Sequence, residues 1–238
     1  MDKARTGSGR GRKAYHHGDL RKAALEQALQ HINRTRDVSF TLRELAAGLG
    51  VSSTALYRHF DGKLALLAAV AEEGYRELLR RFDADAAAQA AGPLALMAAR
   101  GRAYVLFAVA FPAHFRVMFL PQLRQSEAFP TLGELRQQVY GRLEEALEVL
   151  QRNDLLSGAD LRDIALTSWA TVHGLASLLV DGQVRIEAGS PSKEVRDLLD
   201  RVLTVQAEGF LADGVRLGAL QRKDSAPKKE TPARKRGR

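Results

Sequence analysis

The segment spanning residues 39–61 constrains the fold most, because it places two short helical patterns on either side of one glycine. Leu42, Leu45, Ala46 and Leu49 recur at i, i+3, i+4 and i+7, the spacing that aligns on one face of a helix. Gly50 follows at once, and glycine ends a helix in the left-handed conformation without the steric cost that a Cβ brings. Thr41 or Ser39 can cap the first helix. Ser52 or Ser53 can cap the second, over residues 54–60, which would bury Leu56 and Phe60.

A longer helix precedes the pair. It starts near Asp19, carries Leu25, Ala28, Leu29 and Ile32 on one face, and ends in the polar break 33–39. Asp61 can cap a fourth helix with Leu64, Leu67, Ala71, Gly74, Leu78 and Phe82 on one side. The Ala-rich stretch 83–92 reads equally as a helix end or a linker. Beyond it, helical patterns cover residues 94–111, 113–119, 132–151, 160–180 and 192–217, with Pro112, Pro121, Pro130 and Pro191 near their boundaries. Strand alternation, hairpin turns and internal repeats are not visible, so the expected class is all-α.

One longer helix followed by two short ones at a tight turn is the helix-turn-helix arrangement, in which the second short helix can lie in a major groove. The outward side of that helix carries Ser53, Thr54, Tyr57, Arg58 and His59, all donors suited to phosphates and base edges. Lys63, at the start of the next helix, adds its charge to free backbone N–H groups that can bind a phosphate. The same residues also fit a small helical subdomain with a merely polar outer face.

The formal net charge is +8 and uneven. Residues 1–13 carry five basic and one acidic side chain, and residues 222–238 carry eight basic and two acidic ones, leaving the middle about −2. With alternating glycines in the first segment and Pro227 and Pro232 in the last, both ends read as disordered basic arms. Nucleic acid is the usual attractor of such arms, although they also serve solubility. No apolar run reaches about 18 residues, so neither a membrane span nor a signal peptide is expected. The chain has no cysteine, which excludes disulfides and thiolate chemistry and suits a cytoplasmic protein. Glycine-rich phosphate loops, Gly-x-Ser-x-Gly and His-Glu-x-x-His are absent, and the adjacent His16-His17 pair lacks the spacing of a helical metal site. No enzyme, cofactor or metal is expected.

The run Thr41-Leu42-Arg43-Glu44-Leu45-Ala46, Gly50-Val51-Ser52, Ala55-Leu56-Tyr57-Arg58-His59-Phe60, Lys63 and Leu66-Leu67 closely resembles the DNA-binding domain of the TetR family of bacterial regulators, over about residues 15–82. The preceding Tyr15-His16-His17-Gly18-Asp19-Leu20-Arg21 is similar to the lead-in of many members. Ser53-Thr54 departs from the family's frequent Pro-Gly or Lys-Gly-type pair, which bears on sequence preference. The resemblance implies that Tyr57, His59 and Lys63 hold phosphates and that Thr41 and Arg43 touch backbone or a base. It also implies that Ser53, Thr54 and Arg58 read bases, and Ser52 joins this DNA-contacting set.

Farther along, Tyr104, Phe107, Phe111, Phe115, Met118, Phe119 and Phe129 crowd bulky apolar side chains together. Leu94, Met97, Ala98, Gly101, Tyr104, Val105 and Ala108 form one stripe, with Phe107 and Phe111 partly off it. Such a helix is buried on several sides or lines a cavity. Trp169 and His173 are one helical turn apart, and Trp169 with His173-Gly174-Leu175-Ala176 resembles a TetR-family C-terminal subgroup marked by Trp…His-Gly, over about residues 95–210. The segment 113–119 is similar to that subgroup too. Tyr104, Phe107, Phe111, Phe115, Met118, Phe119, Trp169 and His173 are the candidate effector-pocket residues, His173 being equally readable as a core histidine.

Ile164, Ala165, Ser168, Val172, Leu175 and Leu179 line one of the last two helices, and Val195, Leu198, Leu199, Val202, Val205 and Gly209 line the other. Excess apolar surface on both suggests a homodimer through these two helices. The segments expected are a basic arm (1–14), a helix-turn-helix DNA-binding domain (15–63), a connecting helix and linker (64–92), a helical effector-binding and dimerisation domain (93–221) and a basic tail (222–238). The function expected is a ligand-responsive repressor that binds a palindromic double-stranded operator and is released by a small apolar or amphipathic effector. The alternative is a DNA-binding adaptor or nucleoid-associated protein without an effector.

Overall fold

The computed structural model describes residues 17–84, 91–124, 127–184 and 191–211. The two basic arms, Tyr15, His16 and residues 212–217 of the last expected helix lie outside them. The described residues form nine α-helices: α1 His17–Thr35, α2 Leu42–Gly48, α3 Ser53–Tyr57, α4 Lys63–Asp83, α5 Pro93–Ala110, α6 Pro112–Met118, α7 Pro130–Arg152, α8 Leu161–Val180 and α9 Pro191–Glu208. A 3-10 turn, Pro121–Leu123, follows α6. Among the described residues there is no strand, only one isolated bridge between Leu156 and Leu211. The expected all-α class holds.

Prolines explain where several helices begin. Pro93, Pro112, Pro130 and Pro191 each open a helix, where the missing N–H has no intrahelical role and the fixed φ is already helical. Asp160 caps α8, its Oδ1 accepting from the Arg162 N–H at 2.7 Å.

The chain divides into two compact units, one of Met1–Arg80 with Phe107–Tyr140 and the other of Arg81–Leu106 with Gly141–Arg238. The boundaries fall inside α4, α5 and α7, so the units cut across the linear segments read from the sequence.

In the first unit α1 packs against α2, α3 and α6. Leu20, Leu25, Ala28 and Ile32 of α1 are buried, as are Leu42, Leu45 and Ala46 of α2, Leu56 of α3, and Phe60. On α4, Leu67, Ala71, Gly74, Leu78 and Phe82 are interior as expected. Leu64 is not: it is 44% exposed, because it stands in the first turn at the helix's open end. Tyr75, which the stripe omitted, is 2% exposed, and its hydroxyl donates to the Met118 carbonyl at 3.3 Å. Burial, the largest cause, pushes this phenol above its ordinary pKa. Gly74 sits where α4 meets α6. A Cβ there would lie 2.6 Å from Met118 Sδ and 3.2 Å from His114 Cβ.

In the second unit Ala98 of α5, Leu147 and Leu150 of α7, Ile164 and Ala165 of α8, and Ala207, Phe210 and Leu211 at the end of α9 form one core. Arg102 Nε bonds Asp200 Oδ1 at 2.5 Å, and Gln206 Nε2 donates to the buried Ser168 hydroxyl at 2.7 Å. Half of the residues on the stripes expected to face a second copy are interior, while Val205 and Gly209 of those stripes are exposed. Ile164, Ala165, Ser168, Leu175, Val195 and Leu199 are buried within the protomer, and the large apolar side chains left exposed on α8 and α9 are Leu166, Trp169, Leu178 and Val205. The cause is that α8 is apolar around most of its circumference, so its pattern alone does not say which arc turns inward.

Two helices, α5 and α8, are long and apolar enough by length and composition to cross a membrane, although each is interrupted by charged residues. The core helix of a globular protein passes the same test. Here α5 carries Arg100 and Arg102 and packs through Ala98 into the core just described.

Candidate nucleic-acid interface

The interface is built from caps upward. Thr41 Oγ1 accepts from the Glu44 N–H at 3.1 Å, while Glu44 Oε2 accepts from the Thr41 N–H at 2.7 Å, a reciprocal box that fixes the start of α2. The Thr41 N–H and then its hydroxyl hold the Glu44 carboxyl below its ordinary pKa of 4.5. A depressed carboxyl stabilises the fold above its unfolded pKa, and that contribution is lost as pH falls through the folded value. Thr41→Ala is expected to lower stability by about 1 kcal/mol, read as a shifted denaturation midpoint with an unchanged slope. The same variant keeps the Thr41 N–H, the larger cause of the depression, and should flatten the acid limb of the stability curve only in part.

At the other end of α2, the Leu49 N–H returns to the Leu45 carbonyl at 3.0 Å and the Val51 N–H to that of Ala46 at 3.0 Å. Gly50 takes φ +69, the left-handed region expected of it. Ser52 then caps α3, its Oγ accepting from the Ala55 N–H at 3.3 Å. α3 is shorter than the span 54–60 read from the sequence. After Tyr57 the N–H groups of both His59 and Phe60 converge on the Leu56 carbonyl, at 2.9 and 3.0 Å, and Gly62 at φ +89 turns the chain into α4.

This geometry buries Leu56 completely and presents its neighbours. Tyr57 is 58% exposed, Thr54 and Arg58 are exposed, and Ser53 and His59 are half-buried. Thr41, Arg43 and Ser52 are exposed near the start of each short helix. Lys63 is half-buried, with its ammonium 5.0 Å from the centre of the Phe40 ring. Arg21, to which the sequence pattern assigns no role, holds its guanidinium 5.5 Å over the Phe60 ring, adding a cation beside the end of α3. The arrangement offers hydroxyls, a phenol, a guanidinium and an imidazole on one short outward ridge, which is the donor set for a duplex groove and its phosphates.

The eight candidate pocket residues form two clusters, one in each unit. In the first, Phe107 stacks on Phe111 at 5.5 Å, and Phe115 packs against Phe119 at 5.2 Å. Phe119 meets the buried Tyr75 edge-on at 6.4 Å, and Met118 is buried beside them. In the second, the Tyr104 hydroxyl lies 2.9 Å from His173 Nδ1, and Trp169 packs on the same imidazole at 5.6 Å. Burial lowers the His173 pKa below 6.5, favouring the neutral ring. Among the described residues no group of three or more His, Asp or Glu side chains is placed to hold a metal ion.

Two family models match the chain: bacterial regulatory proteins of the tetR family over residues 37–70, and a tetracyclin repressor-like C-terminal domain over residues 97–205. None of the curated proteins matches. Among solved structures, a Rhodococcus sp. RHA1 protein of unknown function is 27% identical and has a TM-score of 0.63, with 84% of this chain and 99% of that one covered. A tetR-family bacterial regulatory protein from Rhodococcus RHA1 is 21% identical at a TM-score of 0.59, over 79% and 95% of the two chains. The ketosteroid transcriptional regulator KstR2 of Mycobacterium tuberculosis is 16% identical at a TM-score of 0.58, over 85% and 98%. The last two likenesses are likenesses of fold.

Proposed function

Because the chain carries the DNA-binding and C-terminal domains of the TetR family of bacterial transcriptional regulators, we propose that it is a homodimeric repressor released from a near-palindromic operator by a small apolar or amphipathic effector. The observation that supports this most directly is the outward ridge of α3, held up by the fully buried Leu56 and flanked by exposed Thr41 and Arg43. In this reading Tyr57, His59 and Lys63 hold phosphates, and Ser53, Thr54 and Arg58 read base edges. Ser52 places α3 through its cap, and Thr41 and Arg43 contact the duplex from α2.

Dimerisation runs through α8 and α9, whose exposed Leu166, Trp169, Leu178 and Val205 supply the apolar surface that a four-helix interface covers. Two ridges roughly one DNA turn apart then match a two-fold symmetric site. The protein works by binding, in the cytoplasm, and its C-terminal part resembles the Trp…His-Gly subgroup. The effector site draws on one of the two aromatic clusters, and the Tyr104–His173–Trp169 cluster of the second unit, with its polar Tyr104–His173 contact, is the one we favour. An effector needs only unequal affinity for two dimer states, and a coupling of about 1–3 kcal/mol changes operator affinity roughly 5–150-fold.

Selection of bound duplexes from random DNA tests this. The expected product is one motif with two inverted halves spaced by about one helical turn, and a Tyr57→Ala protein should bind that motif at least tenfold more weakly with unchanged folding. Enrichment of no motif would overturn the reading.

A further inference from the structure

Arg100, on α5 in the second unit, is an unusual cation. Its side chain is 14% exposed. Its Nη1 donates to the backbone carbonyl of Arg142. Its Nε–H is buried and meets no acceptor among the described residues. The carboxylate of Glu145 stands 3.9 Å from Nη2, beyond hydrogen-bond reach, and is itself bonded to Arg142 Nη1 at 3.3 Å. Arg142 has a second carboxylate as well, since Asp83 accepts from it at 3.3 and 3.5 Å. Both acids hydrogen-bond Arg142, Glu145 reaches Arg100 as an ion pair only, and one edge of Arg100 is left without a hydrogen-bonding partner among the described residues.

That edge has a defined chemistry. The Nε–H and one Nη2–H of a guanidinium point the same way, at the spacing of two carboxylate oxygens. Leaving a buried charged donor unmade is expensive, and native proteins rarely do so without a water, ion or ligand to complete it. Burial, the largest cause, also lowers the Arg100 pKa, so the surroundings favour an added anion. One turn to either side on the same helix face stand Leu96, Met97, Ala103 and Tyr104, three of them half-buried and Tyr104 buried. A charged fork set in an apolar strip is complementary to a molecule with an acidic head and an apolar body.

We propose that Arg100 is the anion-binding residue of the effector site and that the effector is an amphipathic carboxylate. This rests on the reading that the C-terminal domain takes an effector. The test uses the full chain without DNA, with acetate, hexanoate and decanoate as probes and methyl decanoate as the uncharged control, followed by calorimetry. Decanoate should bind about 10- to 100-fold more tightly than its ester. Arg100→Lys, which keeps the charge and loses the fork, should remove most of that difference, as should Arg100→Met. Glu145→Gln, which removes the carboxylate 3.9 Å from Nη2, should leave decanoate binding intact or tighten it. Melting curves of each variant establish folding, and if Arg100→Met does not fold, Arg100→Lys decides.

Equal binding of acid and ester, wild-type affinity in a folded Arg100 variant, or no binding across the carboxylate series would overturn the proposal and leave a buried water as the partner of Nε. These outcomes are independent of operator selection, whose failure would instead remove the repressor reading.

Discussion

A Leu56→Ala protein is expected to lose about 2–5 kcal/mol of stability and, with it, operator binding, although Leu56 touches no duplex. The side chain is completely buried in the last turn of α3, a helix of five residues that has little stability of its own. What holds α3 in place is this side chain, the Ser52 cap and the packing of α1 and α2 against it. Truncation leaves a cavity where three helices meet, and a short helix with two glycine turns beside it has no other anchor. Against a typical total of about 5–15 kcal/mol the loss is large. Urea denaturation and operator titration should both respond. The contrast is Tyr57→Ala next door, where an exposed ring is removed, denaturation moves by about 0.5 kcal/mol or less, and operator affinity alone falls. If Leu56→Ala melted like the wild type, α3 would not be held as described.

The second large effect is expected at Gly74. Valine there brings a Cβ to within 2.6 Å of Met118 Sδ and 3.2 Å of His114 Cβ, and Met118 is itself buried, so the sulfur has little room to retreat. Overpacking of this kind destabilises by about 1–3 kcal/mol, and a β-branched residue adds crowding against its own helix. The informative measurement is a double-mutant cycle with Met118→Ala. That single change opens space and is destabilising by itself, about 2–5 kcal/mol. The pair should be less damaging than the two losses added, by about 0.5–3 kcal/mol, because each substitution relieves the other. Strict additivity would mean that α4 and α6 do not meet through these two residues.

Much of the fold was legible because its helices announce themselves twice, by stripe and by cap. Thr41, Ser52, Gly50 and the prolines Pro112, Pro130 and Pro191 at helix starts all act by local chemistry that needs no tertiary information. The exposed ridge Thr54, Tyr57 and Arg58 followed from the same logic. Features that depend on how helices meet were not legible. The end of α3 is set by two N–H groups sharing the Leu56 carbonyl, and no residue type signals that.

On α8 the apolar residues nearly encircle the helix, so Ile164 and Leu175 could not be told from Leu166 and Leu178 until the core was assembled. Tyr75 and Arg100 were passed over for a common reason. A phenol and a guanidinium on an apolar helix read as surface groups, and only the packed structure shows them enclosed.

The placement of the unit boundaries inside α4, α5 and α7 has a practical meaning. The unit that holds the proposed reading helices draws residues 107–140 from far along the chain, so it is not a portable cassette. A chimera cut in the loop before Pro93 would take α1 to α4 and leave behind α6, the helix that packs on α1. Under the proposed function, exchanging specificities with a relative therefore calls for substituting surface positions on α2 and α3 in place, not for swapping the N-terminal third.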